Sequence, residues 1–249
     1  MSGRDSGPAG YRMADVHIDP GTRQVRLGDA AGAIATQNRG VELALLLTLP
    51  AAAALIVLAQ PILTVLFVRG AFGPAEAAAT AAALAAYAAG LPAFVLVKVL
   101  APGFFAHKNT RTPVKVAVAA MVANLVLTIG LMQFLAHVGV ALALTLSGWL
   151  QALTLMIMLR RHGHFRLDRR ARARVPRIGA AALGMAGIVL GLRVVLEPAL
   201  AGHAIERLGA LALLIAGGVL AFAALALVLG GADWRELRGQ LRRTPPAPA

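Results

Sequence analysis

The sequence contains no cysteine, few aromatic residues (5%) and few charged residues (14%). Without cysteine, disulfides and cysteine-ligated metal sites are excluded. Acidic residues are also scarce, with 11 against 24 lysines and arginines. In their place, 59% of the 249 residues are hydrophobic, above the roughly 45–50% of soluble domains by a broader count that includes glycine. Together with a mean hydropathy of +0.74, this composition predicts an integral membrane protein.

Six apolar segments are long enough to cross a bilayer, which takes about 20 mostly apolar residues. Alternation of apolar and polar residues with a period of two is absent, so we predict helices rather than the strands of a barrel. The second segment is long for one span, and Gly90-Leu91-Pro92 inside it predicts a kink. The six predicted spans are about 41–67, 75–106, 114–136, 139–159, 178–196 and 208–229.

The basic residues lie almost entirely on one side of these spans. An even number of spans puts both termini on the same side, and 20 of the 24 lysines and arginines fall there. Only Arg69, Arg193 and Arg207 fall on the other side, and Lys98 lies within the second span. The positive-inside rule therefore predicts that both termini are cytoplasmic. The net charge of +13 is then a signature of topology, and we do not expect nucleic-acid binding.

We divide the chain into five parts on this basis. Residues 1–38 form a polar cytoplasmic lead, which its glycine, proline and charge predict to be flexible, with a short surface helix near 29–39. Residues 39–161 hold four transmembrane helices, and 162–177 form a basic cytoplasmic loop. Residues 178–230 hold two C-terminal transmembrane helices, and 231–249 form a basic cytoplasmic tail.

Patterns typical of catalysis are missing from the sequence. It has no HExxH, no P-loop, no GxSxG and no CxxC. His162-Gly163-His164 could bind a metal ion, but the surrounding arginines repel cations, so we favour a solvated loop. We therefore expect no metal and no cofactor, and we do not expect an enzyme.

Lys98 stands inside the apolar run AFVLVKVLAP, residues 93–102. A charge near the bilayer centre costs a few kcal/mol and usually faces a bundle interior or a watery cavity. The alternatives are snorkelling to the cytoplasmic surface and a buried ion pair, for which Glu42 is a weak candidate. Because Lys98 lies about 12 Å along the helix from that surface, beyond the reach of its side chain, we favour a cavity.

Several motifs between Arg39 and Arg161 resemble one known family. They include the turn LFVRGAF at residues 66–72, the run KVLAPGFFA that begins at Lys98, and NTRTPVK at residues 109–115. In this order and spacing they resemble the MurJ (MviN) family of lipid II flippases, over roughly residues 27–232, whereas residues 1–26 resemble nothing in it. The motif positions that we take to be structural are Pro50, Gly70, Phe72, Gly90, Pro92, Pro102, Gly103, Thr112 and Pro113.

The resemblance implies a fold within the multidrug/oligosaccharidyl-lipid/polysaccharide exporter superfamily. Its members have fourteen spans, arranged as two six-helix lobes and two extra C-terminal helices. This chain would match the last six spans: part of the second lobe, plus the extra pair that in the family lines a groove proposed to hold the lipid tail. The expected fold is thus an all-α membrane protein with six transmembrane helices.

The resemblance also implies a function in the bacterial cytoplasmic membrane. Family members move lipid II, the undecaprenyl-linked peptidoglycan precursor, from the inner to the outer leaflet by alternating access. Lys98 matches a family position in the central cavity, and Arg111 and Lys115 are basic candidates at the inner face. The expected partners are lipid II, membrane lipids and a missing N-terminal half, without which we expect no transport.

Two other functions stay open at this point. The chain could be a non-transporting module for membrane assembly or binding, which pairs with a separate protein. It could also belong to another exporter of the same superfamily that moves a polysaccharide or a drug, although the KVLAPGFFA run argues against this.

Overall fold

The computed structural model describes residues 12–13, 16–19, 24–27, 30–106, 109–161 and 168–231, with side chains described in 34–106, 109–161, 168 and 170–231. Three short strands come first: β1 (Arg12–Met13), β2 (Val16–Asp19) and β3 (Gln24–Leu27). They form an antiparallel sheet in the order β1-β2-β3, in which Val16 is opposite Leu27.

The sheet differs from the flexible lead that the composition predicted. β-branched residues on both sides of Pro20-Gly21 favour two strands around a turn, and a prediction made from overall composition misses this local pattern. The lead also has no break at residue 38, because the first helix begins at Ala30 and continues into the apolar region.

Seven helices follow among the described residues, and helical backbone is the expected conformation because inside a bilayer it satisfies its own hydrogen bonds. α5 begins within the predicted loop 162–177, whereas His162, His164 and the tail after Gly231 lie outside the described residues. The helices are α1 (Ala30–Phe67), α2 (Pro74–Ala88), α3 (Leu91–Phe105), α4 (Arg111–Arg161), α5 (Arg169–Val195), α6 (Glu197–Ala201) and α7 (Ala204–Val228).

Five helical stretches in the described part of the chain are long and apolar enough to cross a membrane, with α2 and α3 together forming one of them. The 51-residue α4 contains one non-helical residue, Ala136, with φ 46° and ψ −128°. A Cβ added to Gly139 would lie 2.4 Å from the carbonyl oxygen of Leu131, so the chain doubles back here. We call the two segments α4a (111–135) and α4b (137–161), each about 37 Å long. With this reversal the fold is an all-α membrane protein with six crossing segments.

The kink predicted at Gly90 is present, and side chains of α4b hold it. Gly90 N–H donates to Tyr87 O at 2.9 Å instead of to the carbonyl one full turn back, that of Ala86. The hydroxyl of Thr145 donates to Ala86 O at 2.7 Å, and the indole Nε1 of Trp149 donates to Ala89 O at 3.0 Å. The polar groups exposed at the kink therefore become the contact between the second and fourth spans.

α1 is the central helix of the bundle, because it packs against α2, α3, α5 and α7. One core joins α1 to α3 and α4b, with Leu100, Leu155 and Leu159 fully buried. A second core joins α1 to α5 and α7 around Val189 and Leu214. The two C-terminal helices therefore attach to the other four through α1.

We predict that Thr145→Val weakens the fold by about 1–2 kcal/mol, because it leaves the carbonyl of Ala86 without its donor in a buried site. The measurement is unfolding of the purified chain in detergent. Thr154→Val is the matched control, since the Thr154 hydroxyl is exposed and bonds only within its own helix, to Leu150 O. Equal effects of the two substitutions would contradict a special role for the kink contact.

Candidate functional site

Lys98 lies near the middle of α3 and its side chain is exposed in this chain. The buried residues of α3 include Ala93, Leu96 and Leu100, and helical geometry puts Lys98 on the opposite face. Within the described part of the chain, Lys98 makes no hydrogen bond or ion pair. A cation in the middle of an apolar helix is therefore presented outward from the bundle with no partner from these residues.

Glu42, the acidic candidate for pairing with Lys98, has another partner. Arg174 Nη1 at the start of α5 donates to Glu42 Oε2 at 3.4 Å, and the two side chains are only 13% and 14% exposed. Glu42 sits on α1 where that helix packs against α5, so it is directed away from the Lys98 face of α3. The structure therefore has a Glu42–Arg174 pair in place of the Glu42–Lys98 pair considered from the sequence.

A cavity of about 280 Å³, whose mostly apolar lining includes three polar side chains, lies between α3, α4a and α4b. Phe94, one turn before Lys98, lines it together with Asn124, Ser147 and Gln151. Among the described residues, Asn124 Oδ1 is buried without a hydrogen-bond partner, whereas the Ser147 hydroxyl donates to its own helix at Leu144 O. The cavity thus offers an unused acceptor and an amide to water or a ligand.

Glycines set the shape of this cavity. A Cβ at Gly148 would lie 2.4 Å from Phe94 Cε1, and a Cβ at Gly90 would lie 2.8 Å from Phe94 Cζ and from Thr145 Oγ1. The phenyl ring therefore fits between the two helices only because both positions lack a side chain.

A second cavity of about 290 Å³ is apolar and lies between α1, α5 and α7. Pro50 lines it, and because Pro50 has no N–H, α1 lacks one helical hydrogen bond at this point. The facing walls come from Met185 and Val189 on α5 and from Leu214 and Phe222 on α7.

The other motif residues occupy turns and helix ends. Gly70 has φ +59° in the turn after α1, a conformation that glycine adopts without strain. Phe72 packs on Phe67, with ring centroids 6.4 Å apart. Pro92 is in the first turn of α3, and Pro102 and Gly103 are in its last turns.

The start of α4 carries the remaining candidates. Asn109 Oδ1 accepts a hydrogen bond from Thr112 N–H at 3.2 Å, and Pro113 is buried in the first turn. Arg111 and Lys115 are both exposed at this end. The structure therefore places the two basic candidates at the helix start and not beside Lys98, which is on a different helix.

Sequence reasoning missed the residues that hold the kink and the contact of Arg193. Thr145 and Trp149, four residues apart, lie on one face of a helix, and this spacing opposite a Gly-Leu-Pro kink was the available signal. Arg193 was placed at the outer end of the fifth predicted span and lies near the end of α5, but its hydrogen bond from Nη1 to Val57 O in α1 at 3.4 Å was not predicted.

The described helices define an all-α, multi-pass membrane protein with an apolar cavity between α1, α5 and α7 and with Lys98 unpaired among the described residues. A family model described as "Lipid II flippase MurJ" matches residues 23–208. The chain is 36% identical over 245 residues to the probable lipid II flippase MurJ of Rhizobium tropici, and 39% identical over 239 residues to that of Rhizobium meliloti. The chain belongs to the lipid II flippase MurJ family.

The chain spans about half the length of these relatives. The alignments cover 98% and 95% of this chain but 46% and 45% of the two relatives. The R. tropici alignment therefore includes most of residues 1–26, for which we expected no resemblance; only the family model begins as late as residue 23. A solved structure, "Lipid II flippase MurJ, inward closed conformation", shares the fold with a TM-score of 0.66 and 23% identity, over 84% of this chain and 41% of that one.

We predict that Gly148→Ala destabilises the chain by about 1–3 kcal/mol, because its methyl group displaces the Phe94 ring. Gly130→Ala on α4a is the matched control, since a Cβ there meets nothing within 4 Å and alanine favours the helix by up to about 1 kcal/mol. Unfolding in detergent measures both variants. A Gly148→Ala chain as stable as the control would show that Phe94 does not need this space.

Proposed function

We propose that this chain is the C-terminal part of a lipid II flippase, and that it works with a separate or missing N-terminal half. The observation that carries the proposal is the family match over residues 23–208, with relatives named as flippases that are about twice as long. The complete transporter would move undecaprenyl-linked peptidoglycan precursor from the inner to the outer leaflet. The function is transport and not catalysis, and both termini would be cytoplasmic.

Lys98 is the residue that we assign to the substrate cavity. Its ammonium is exposed and unpaired among the described residues, and an unpaired charge at this depth is costly unless water or an anion meets it. A diphosphate is such an anion. Water held in the cavity that Asn124 and Gln151 line would hydrate the same region.

We assign the lipid tail to the apolar cavity between α1, α5 and α7. Its walls are almost entirely aliphatic or aromatic, and Gly218 on α7 lies so close to α5 that a Cβ there would be 3.2 Å from Val189 Cγ2. An isoprenoid chain needs only apolar contact, which burial supplies in proportion to area.

The missing half would dock on the face that carries Lys98 and on α4a. Between residues 114 and 135 only Val116 and Ala120 are buried, and large side chains such as Met121 and Leu125 are 71% and 60% exposed. A helix this apolar all round faces lipid or another helix. A protein partner on this face agrees with alternating access, which needs two lobes around a central site.

The test is complementation in bacteria depleted of their own lipid II flippase. One strain expresses this chain alone, and another expresses it with the part of the R. meliloti relative that precedes the aligned region. We expect growth only in the second strain. Growth with the chain alone would overturn the two-part proposal. No growth in either strain, with both parts verified in the membrane, would overturn the flippase assignment and favour an assembly module.

In the complementing pair, we predict that Lys98→Ala reduces plating efficiency by about tenfold or more, because the cavity loses its cation. Lys98→Arg should retain part of it because the charge remains. Arg160→Ala is the control, since Arg160 is an exposed basic residue at the end of α4b and outside the proposed site. Full growth with Lys98→Ala at normal protein levels would remove Lys98 from the substrate site.

A further inference from the structure

A cleft of about 480 Å³ lies between α1 and the junction of α5 with α6. It is at the end of the bundle opposite the basic loops, which is the outer side in the orientation proposed above. Four polar side chains line it: Gln60 and Thr64 on α1, Arg193 on α5 and Glu197 on α6. Its volume is within the range of small-molecule sites, about 300–1,000 Å³.

The position of Arg193 has a specific local cause. In an α-helix the carbonyl of Val57 would accept from the N–H of residue 61, but residue 61 is proline and has none. Arg193 Nη1 takes this place with a long contact of 3.4 Å to Val57 O. The guanidinium has five N–H donors, so this contact anchors Arg193 in the cleft and leaves most of its donors unused.

The other three polar side chains are also unengaged. Glu197 is one helical turn after Arg193, yet the two form no ion pair, and neither Gln60 nor Thr64 makes a hydrogen bond to any residue that the structure describes. A cation, a carboxylate, an amide and a hydroxyl thus converge at the membrane boundary without satisfying one another. Gln60, Thr64 and Arg193 are half-buried and Glu197 is exposed, and a ligand that supplies matching charges stabilises groups of this kind.

The ligand that fits this set carries both a phosphate and a primary ammonium group. The phosphate would accept hydrogen bonds from Arg193 and Thr64, and the ammonium would donate to Glu197. The walls between the polar residues are apolar, with Pro61, Val65 and Leu190 among them, and acyl chains could lie along them. We propose that this cleft binds the headgroup of an aminophospholipid from the outer leaflet, as a site separate from the cavity of Lys98.

The experiment measures lipid retention by native mass spectrometry of the purified chain in detergent. Phosphatidylethanolamine, phosphatidylcholine and phosphatidylglycerol are added at equal concentration, and undecaprenyl phosphate is added in a separate arm. We expect phosphatidylethanolamine to be retained about tenfold over the other two phospholipids, a difference of about 1.4 kcal/mol in binding free energy. Phosphatidylcholine has the phosphate but no N–H, so it tests the ammonium contact.

Variants then assign the contacts. Arg193→Gln should abolish retention of all three phospholipids, and Glu197→Gln should remove only the preference for phosphatidylethanolamine. Arg69→Gln is the control, because Arg69 is an exposed arginine at the same end of α1 and outside the cleft. Glu197 bonds to no described residue, so its variant tests the proposal even where Arg193→Gln loosens the fold.

Equal retention of the three phospholipids, or retention unchanged by both variants, would overturn the proposal. Stronger retention of undecaprenyl phosphate than of phosphatidylethanolamine would also overturn it, by assigning the cleft to the transported lipid. Because retention is measured on this chain alone, a failure of complementation would refute the flippase assignment without changing the result at the cleft.

Discussion

The structure depends on one constraint: backbone carbonyls inside a membrane need donors, and a proline, which has no N–H, or a kink, which redirects an N–H, leaves a carbonyl without the donor that a regular helix supplies. At the Gly90 kink, Thr145 and Trp149 of another span donate to the free backbone carbonyls. At Pro61 the donor is Arg193. Each break in a helix thus becomes a contact between helices.

The same constraint separates the polar groups that hold the fold from those left for a ligand. Thr145 and Trp149 have their partners, and Glu42 and Arg174 have each other. The hydrogen bonds and the ion pair of these groups stabilise the fold. Lys98 and the Oδ1 of Asn124 have no partner among the described residues. The groups without a structural use are therefore the ones that mark a surface for binding.

Much of the fold could be predicted from the sequence because span length and charge distribution are strong, local signals. The kink at Gly90 followed from Gly-Leu-Pro, and the six crossing segments followed from hydropathy. The break at Ala136 also followed, since one predicted span ends at 136 and the next begins at 139, but the positive φ of 46° at this alanine could not be predicted, because alanine rarely adopts it. Lys98 could be singled out, but its lack of a partner could not be predicted. The sequence does not show whether Glu42 faces Lys98 or Arg174.

The assignment of Lys98 to a two-part site gains from counting the carboxylates around it. Among the residues that the structure describes, Glu42 is taken by Arg174, and Glu76 and Glu206 accept from the backbone N–H groups of Gly73 and His203 at helix starts. Glu197 lies in the cleft at the far end of α5. Asp168 is exposed before the start of α5, and none of these five carboxylates makes an ion pair or a hydrogen bond with Lys98. The two-part site proposed above would give Lys98 a counter-charge from a second polypeptide or from the diphosphate of a bound lipid, which agrees with the cost of leaving an intramembrane charge unpaired.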